Sequence, residues 1–195
     1  MKRFAILPAL AVATLTACGG GEPAQAPSSG SSGGGAAPAE PAVPSGEMTM
    51  PEWMLVDNDA RTVSMTITAG TTAENNRWNF NGAIKGEILI TVPVGYEVTL
   101  EFVNDDPVMV HSLGISTETG SFGAMVDATP AFPGAMTQNT TSMVDATMPG
   151  QRETIVFTPD ATGEYTMVCY IPGHAVTGMW VYFNVSADGA AGVQQ

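Results

Sequence analysis

Cys169, His174 and Met179 stand at equal intervals in the stretch Cys169-Tyr170-Ile171-Pro172-Gly173-His174-Ala175-Val176-Thr177-Gly178-Met179, a Cys-x4-His-x4-Met arrangement. The chain holds 2 cysteines and 2 histidines in all, the others being Cys18 and His111. One thiolate, two neutral imidazoles and a weak axial thioether make the donor set of a blue copper electron-transfer site. Sulfur donors favour Cu(I) and imidazole also serves Cu(II), so a geometry between the two preferences keeps rearrangement small when one electron moves. Each residue alone has a plainer role. A cysteine at a strand end packs, a loop histidine is solvated, and a methionine opening an apolar strand fills core. Zinc also accepts Cys and His, although a structural zinc site takes a fourth strong ligand rather than a thioether. A Cys-His nucleophile pair is a further alternative, to which the adjoining methionine adds nothing. Because ligation needs neutral imidazole, acid is expected to compete with copper for His174.

These side chains must be positioned by strands. Beyond Met48 the sequence runs in short stretches of β-branched and aromatic residues separated by Gly, Pro, Asn and Asp, the spacing of an all-β sandwich. Val63, Met65 and Ile67 alternate with polar residues; Ile88, Ile90 and Val92 make a second run, and Val98, Leu100 and Phe102 a third. A fourth run carries Met109, Val110 and His111, and later ones cover Thr154 to Phe157, Tyr165 to Cys169 and Met179 to Val185. Seven to eight strands follow. Cys169 then ends one strand and Met179 opens the next, with His174 on the Pro-Gly turn between them. Ser112, beside His111, is placed to hydrogen-bond across to the Cys169 segment, or else to cap a strand end. Residues 116–150 form a long connection containing Met125, Met136, Met143 and Met148, available to fill core, to face a partner or to take up Cu(I).

The N-terminus addresses location. Lys2 and Arg3 precede an apolar run to Leu15, and Leu15-Thr16-Ala17-Cys18 resembles a bacterial lipobox. The reading is a signal peptide over 1–17, a lipidated Cys18 opening a Gly/Ser/Ala/Pro tether over 18–48, and a folded domain over 49–195. With Cys18 lipidated, Cys169 has no partner for a disulfide within the chain. The 6 basic and 19 acidic residues give a net charge of −13, which lacks the basic footprint of nucleic-acid binding. The same field favours a cationic redox partner.

At its ligand residues the sequence resembles the cupredoxins, and within them the sulfocyanin and rusticyanin-like branch. The resemblance is carried by Trp78-Asn79-Phe80-Asn81-Gly82, Pro93-x-Gly95, His111-Ser112-Leu113 and the Cys169, His174, Met179 spacing. It implies a Greek-key β-sandwich with one type 1 copper near one end. It further implies His111, Cys169 and His174 as equatorial ligands, Met179 as the axial one, and a solvent-exposed His174 edge as the electron port. The function expected is a monomeric, exported carrier, lipid-anchored at the periplasmic or extracellular face of the membrane. It would shuttle single electrons between a respiratory-chain donor and acceptor without being an enzyme; no histidines remain for further copper centres. Two other readings stay open, a protein that stores or delivers Cu(I) and a metal-free binding module.

Overall fold

Alternating burial organises the strands of the computed structural model, which describes residues 41–195. In chain order the strands are β1 (Met54–Asp57), β2 (Thr62–Ala69), β3 (Leu89–Pro93), β4 (Glu97–Asn104) and β5 (Gly114–Ser116). They continue with β6 (Arg152–Phe157), β7 (Gly163–Val168), β8 (Trp180–Ser186) and β9 (Gly192–Gln194). Val63, Met65, Ile67 and Ala69 of β2 point inward, as do Val98, Leu100 and Phe102 of β4, as the period of two requires. β2 and β4 run parallel with Val63 opposite Val98 and Ile67 opposite Phe102, which brings their inward faces together.

One sheet has the order β1-β2-β4-β6 and the other β5-β7-β8-β3-β9. The chain passes between sheets from β2 to β3, β3 to β4, β4 to β5, β5 to β6 and β6 to β7, so the two inner faces share one core. This is the all-β sandwich expected, with nine strands among the described residues where seven to eight were anticipated. The strands that no expected run covers are short ones at sheet edges, β1, β5 and β9. Phe102 is wholly buried in this core and meets Phe80 edge-on. Phe102→Ala should lower unfolding free energy by about 3–5 kcal/mol, read from the denaturant midpoint.

Two segments depart from the simple strand pattern. Met109 to His111 is not a strand, and His111 makes only an isolated bridge with Thr147. Side chains organise it instead. Asn104 Nδ2 donates to the carbonyls of Met109 and Thr147, both at 2.8 Å, and Asp106 Oδ1 accepts the Val108 and Met109 N–H groups at 2.9 and 3.0 Å. Such local bonds displace a ladder. The long connection is pinned by buried Phe122, Val126, Phe132, Ala135 and Ala146, with Met136 bridged to Gly114.

Cys18 and most of the expected tether lie outside the described residues. Residues 41–48, assigned from sequence to the tether, contact the sandwich: Tyr182 Oη donates to the Pro41 carbonyl at 2.6 Å and Gln194 Nε2 to that of Gly46 at 2.8 Å. Among the described residues, no helix is long and apolar enough to cross a membrane.

Candidate metal centre

β7 ends at Val168 and β8 begins at Trp180, so Cys169 to Met179 form the connection of an antiparallel pair. Pro172 sets the first central position of a turn and Gly173, at φ 86°, the second, with the His174 N–H donating to the Ile171 carbonyl at 3.0 Å. That is the residue pattern of a type II turn. The Cys169 N–H donates to the Met179 carbonyl at 3.1 Å and the Met179 N–H to the His174 carbonyl at 3.0 Å, so the backbones of all three residues are tied together. The Gly173 N–H bonds the Ala124 carbonyl at 2.8 Å, fastening the loop to the long connection. Gly178 takes φ 115°, a conformation that side chains beyond hydrogen rarely adopt.

The fold brings His111 to this loop. His111, Cys169 and His174 are buried, and their donor atoms lie within 4.8 Å of one another. Cys169 Sγ is 3.6 Å from His174 Nδ1. Met179 is fully buried at the end of the same loop. Ser112 Oγ accepts the Tyr170 N–H at 3.0 Å and lies 3.7 Å from Cys169 Sγ, joining the two ligand segments.

Asp106 defines the state of His111. Its Oδ2 accepts from His111 Nε2 at 3.1 Å, in a pair almost closed to solvent. Burial raises the Asp106 carboxyl pKa, but the Val108 and Met109 amides and His111 outweigh it and hold the group below its usual range, hence ionised. The His111 proton therefore sits on Nε2, and Nδ1 carries the lone pair. That Nδ1 is buried with no hydrogen-bond partner. An orphaned acceptor beside a thiol and a second imidazole is what an open metal position requires, and the soft sulfur with two nitrogens and a nearby thioether fits one type 1 copper.

The protonation states agree. Burial lowers the His111 pKa against the opposing pull of Asp106. Burial and then the neighbouring His111 lower that of His174 to about 3. Both imidazoles are neutral at neutral pH, and proton competition at His174 is confined to strong acid. Burial pushes the Cys169 thiol up to about 11, despite opposing hydrogen bonds from the Ser112 and Ile171 backbone and the Ser112 hydroxyl. A bound ion must therefore expel one proton, from sulfur. Cu(I) affinity should rise about tenfold per pH unit from pH 7 to 9, measured by competition with a chelator. A flat profile would show a preformed thiolate, and a much steeper one a displaced histidine proton.

Trp78 alters the expected port. His174 is only 1% exposed, so its edge does not reach solvent. Trp78 lies flat on it, with ring centroids 3.9 Å apart and planes inclined by 15°. Asn75, Asn76 and Arg77, at φ 49°, 56° and 66°, hold a left-handed course just before the tryptophan. Such residues each carry strain of roughly 1–2 kcal/mol, less for Asn. Neither the role of Asp106 nor that of Trp78 is expected from the sequence, where Trp78 stands only among the residues that carry the family resemblance. The spacing of an acid five residues before a ligand histidine was the available signal for the first; nothing local signalled the second.

A two-sheet sandwich whose loops gather two histidines, a cysteine and a methionine at one end is a cupredoxin. Residues 51–192 match the family described as Sulfocyanin (SoxE) domain, and the chain belongs to that family. It is 32% identical over 135 residues to Sulfocyanin of Sulfolobus acidocaldarius, a match covering 65% of this chain and 64% of that protein. Among solved structures, rusticyanin from Thiobacillus ferrooxidans is similar at 23% identity and a TM-score of 0.47, covering 69% of this chain and 86% of that one. Dithionite-reduced auracyanin from Roseiflexus castenholzii is similar at 26% identity and a TM-score of 0.43, covering 63% and 96% respectively.

Proposed function

We propose that this protein is an exported, lipid-tethered carrier of single electrons, with one type 1 copper held by His111, Cys169 and His174 and, more weakly, by Met179. The observation that carries this reading is the convergence of three buried donors within 4.8 Å, one of them an orphaned nitrogen. Copper, when bound, supplies reversible one-electron exchange between Cu(I) and Cu(II). The chain's part is to keep that exchange undemanding. The loop bonds between Cys169, His174 and Met179 hold the donors at fixed spacing. Asp106 fixes the His111 tautomer and ring orientation, and Ser112 fastens the sulfur segment to the His111 segment. Burial excludes water and other ligands.

Lipidation at Cys18 would keep the carrier at the extracytoplasmic membrane face, working as a monomer between respiratory-chain donor and acceptor proteins. The net charge of −13 supports a cationic partner docking most readily at low salt. Voltammetry of the copper-loaded protein tests the reading. Reversible one-electron cycling with copper retained is expected, whereas loss of copper on reduction would overturn it.

A second reading, delivery of Cu(I), draws support from the exposure of Met125, Met143 and Met148 at 62%, 50% and 38%. It requires rapid transfer of the bound Cu(I) to an acceptor chelator. Slow exchange, on the time scale of hours, would contradict it.

A further inference from the structure

The site lacks a direct opening to solvent through its histidines, since His111 and His174 are 0% and 1% exposed. Electrons must cross something. Trp78 is stacked on His174 at 3.9 Å and is itself only partly buried, so a single ring connects the ligand to the surface. The chain takes trouble to seat that ring. Three successive left-handed residues precede it, Asn75 Nδ2 donates to the Trp78 carbonyl and the Trp78 N–H to the Asn75 carbonyl, both at 2.9 Å. Arg77 Nη1 donates to the Gly70 carbonyl at 2.9 Å, and the buried Asn79 side chain donates to the carbonyls of Thr72 and Glu74 at 3.0 and 3.2 Å. A backbone held this far from ordinary conformations, with its turn cross-braced at five carbonyls, fixes the position of the indole and not merely its burial.

We propose that Trp78 is the port through which electrons enter and leave, a partner docking on the outer part of the indole and the electron crossing the stack to His174. This rests on the electron-carrier reading. On entry, a reduced one-electron redox protein, such as a haem or copper protein, loses one electron and Cu(II) becomes Cu(I). On exit, an oxidised protein of the same class gains it. The indole bridges the two without being oxidised, and no proton moves. The competing surface is the ligand loop itself, where Val176 is 52% exposed.

The test is the rate at which hexacyanoferrate(III), an anionic one-electron oxidant, oxidises the reduced, copper-loaded full chain, with reduction potential and absorption spectrum measured beside it. Trp78→Leu, which keeps His174 covered but removes the aromatic bridge, should slow oxidation by about tenfold or more at little-changed potential, as a small gap in a reacting path can cost far more than that. Trp78→Phe should restore a rate close to that of the original chain. Glu74→Lys leaves the ring intact and adds positive charge on its own turn, so it should speed the anionic oxidant, and more per unit charge than Val176→Lys. A full rate in Trp78→Leu, or a rate that responds to Val176→Lys and not to Glu74→Lys, would overturn the port. An original chain that is not oxidised and re-reduced at all would instead sink the carrier reading beneath it.

Discussion

Asp106→Asn should raise the reduction potential while leaving the fold in place. The carboxylate accepts the His111 Nε2 proton at 3.1 Å inside the protein, and that bond makes Nδ1 a better donor. An amide retains an oxygen for the Val108 and Met109 N–H groups, so the turn survives; it lacks the charge that enriches the imidazole. Cu(II) depends on that basicity more than Cu(I) does. Loss of such an outer partner typically weakens metal binding by about 10–100-fold. If the loss falls on Cu(II), the potential rises by about 60–120 mV, because a tenfold change corresponds to 59 mV for one electron. A copper-loaded variant with unaltered potential would show that Asp106 serves the turn alone.

Cys169→Ser should remove the intense visible absorption altogether, since the band needs the copper–thiolate bond. The side chain is wholly buried and the hydrogen bonds around it come from the Ser112 and Ile171 backbone and the Ser112 hydroxyl, so the smaller hydroxyl should disturb folding by only about 1 kcal/mol. Equilibrium unfolding of the metal-free forms separates the two effects. A variant that folds normally and still turns blue would remove the sulfur from the site.

The strands were legible because period-two patterning survives in β2 and β4, where Val63, Met65 and Ile67, and Val98, Leu100 and Phe102, are all buried as their alternation requires. The run at Met109 to His111 misled for a physical reason. Its apolar residues resemble a strand, but Asn104 and Asp106 bind the neighbouring backbone and bend the chain, and side-chain bonds of that kind leave no periodic trace. The loop from Cys169 to Met179 was readable because spacing, turn chemistry and donor type coincide in eleven consecutive positions. Trp78 lies 96 residues from the histidine it covers, and no local pattern encodes a contact between them. The exposed His174 edge implied by resemblance gave way to that contact. Ring stacking across distant segments is a property of the assembled sandwich.

Optical titration of the purified metal-free protein with Cu(II) tests the central claim most directly. An intense blue band that grows linearly and stops at one copper per chain is the predicted result. A colourless protein, or weak absorption that never saturates at that ratio, would contradict a copper centre built on Cys169 and the two histidines.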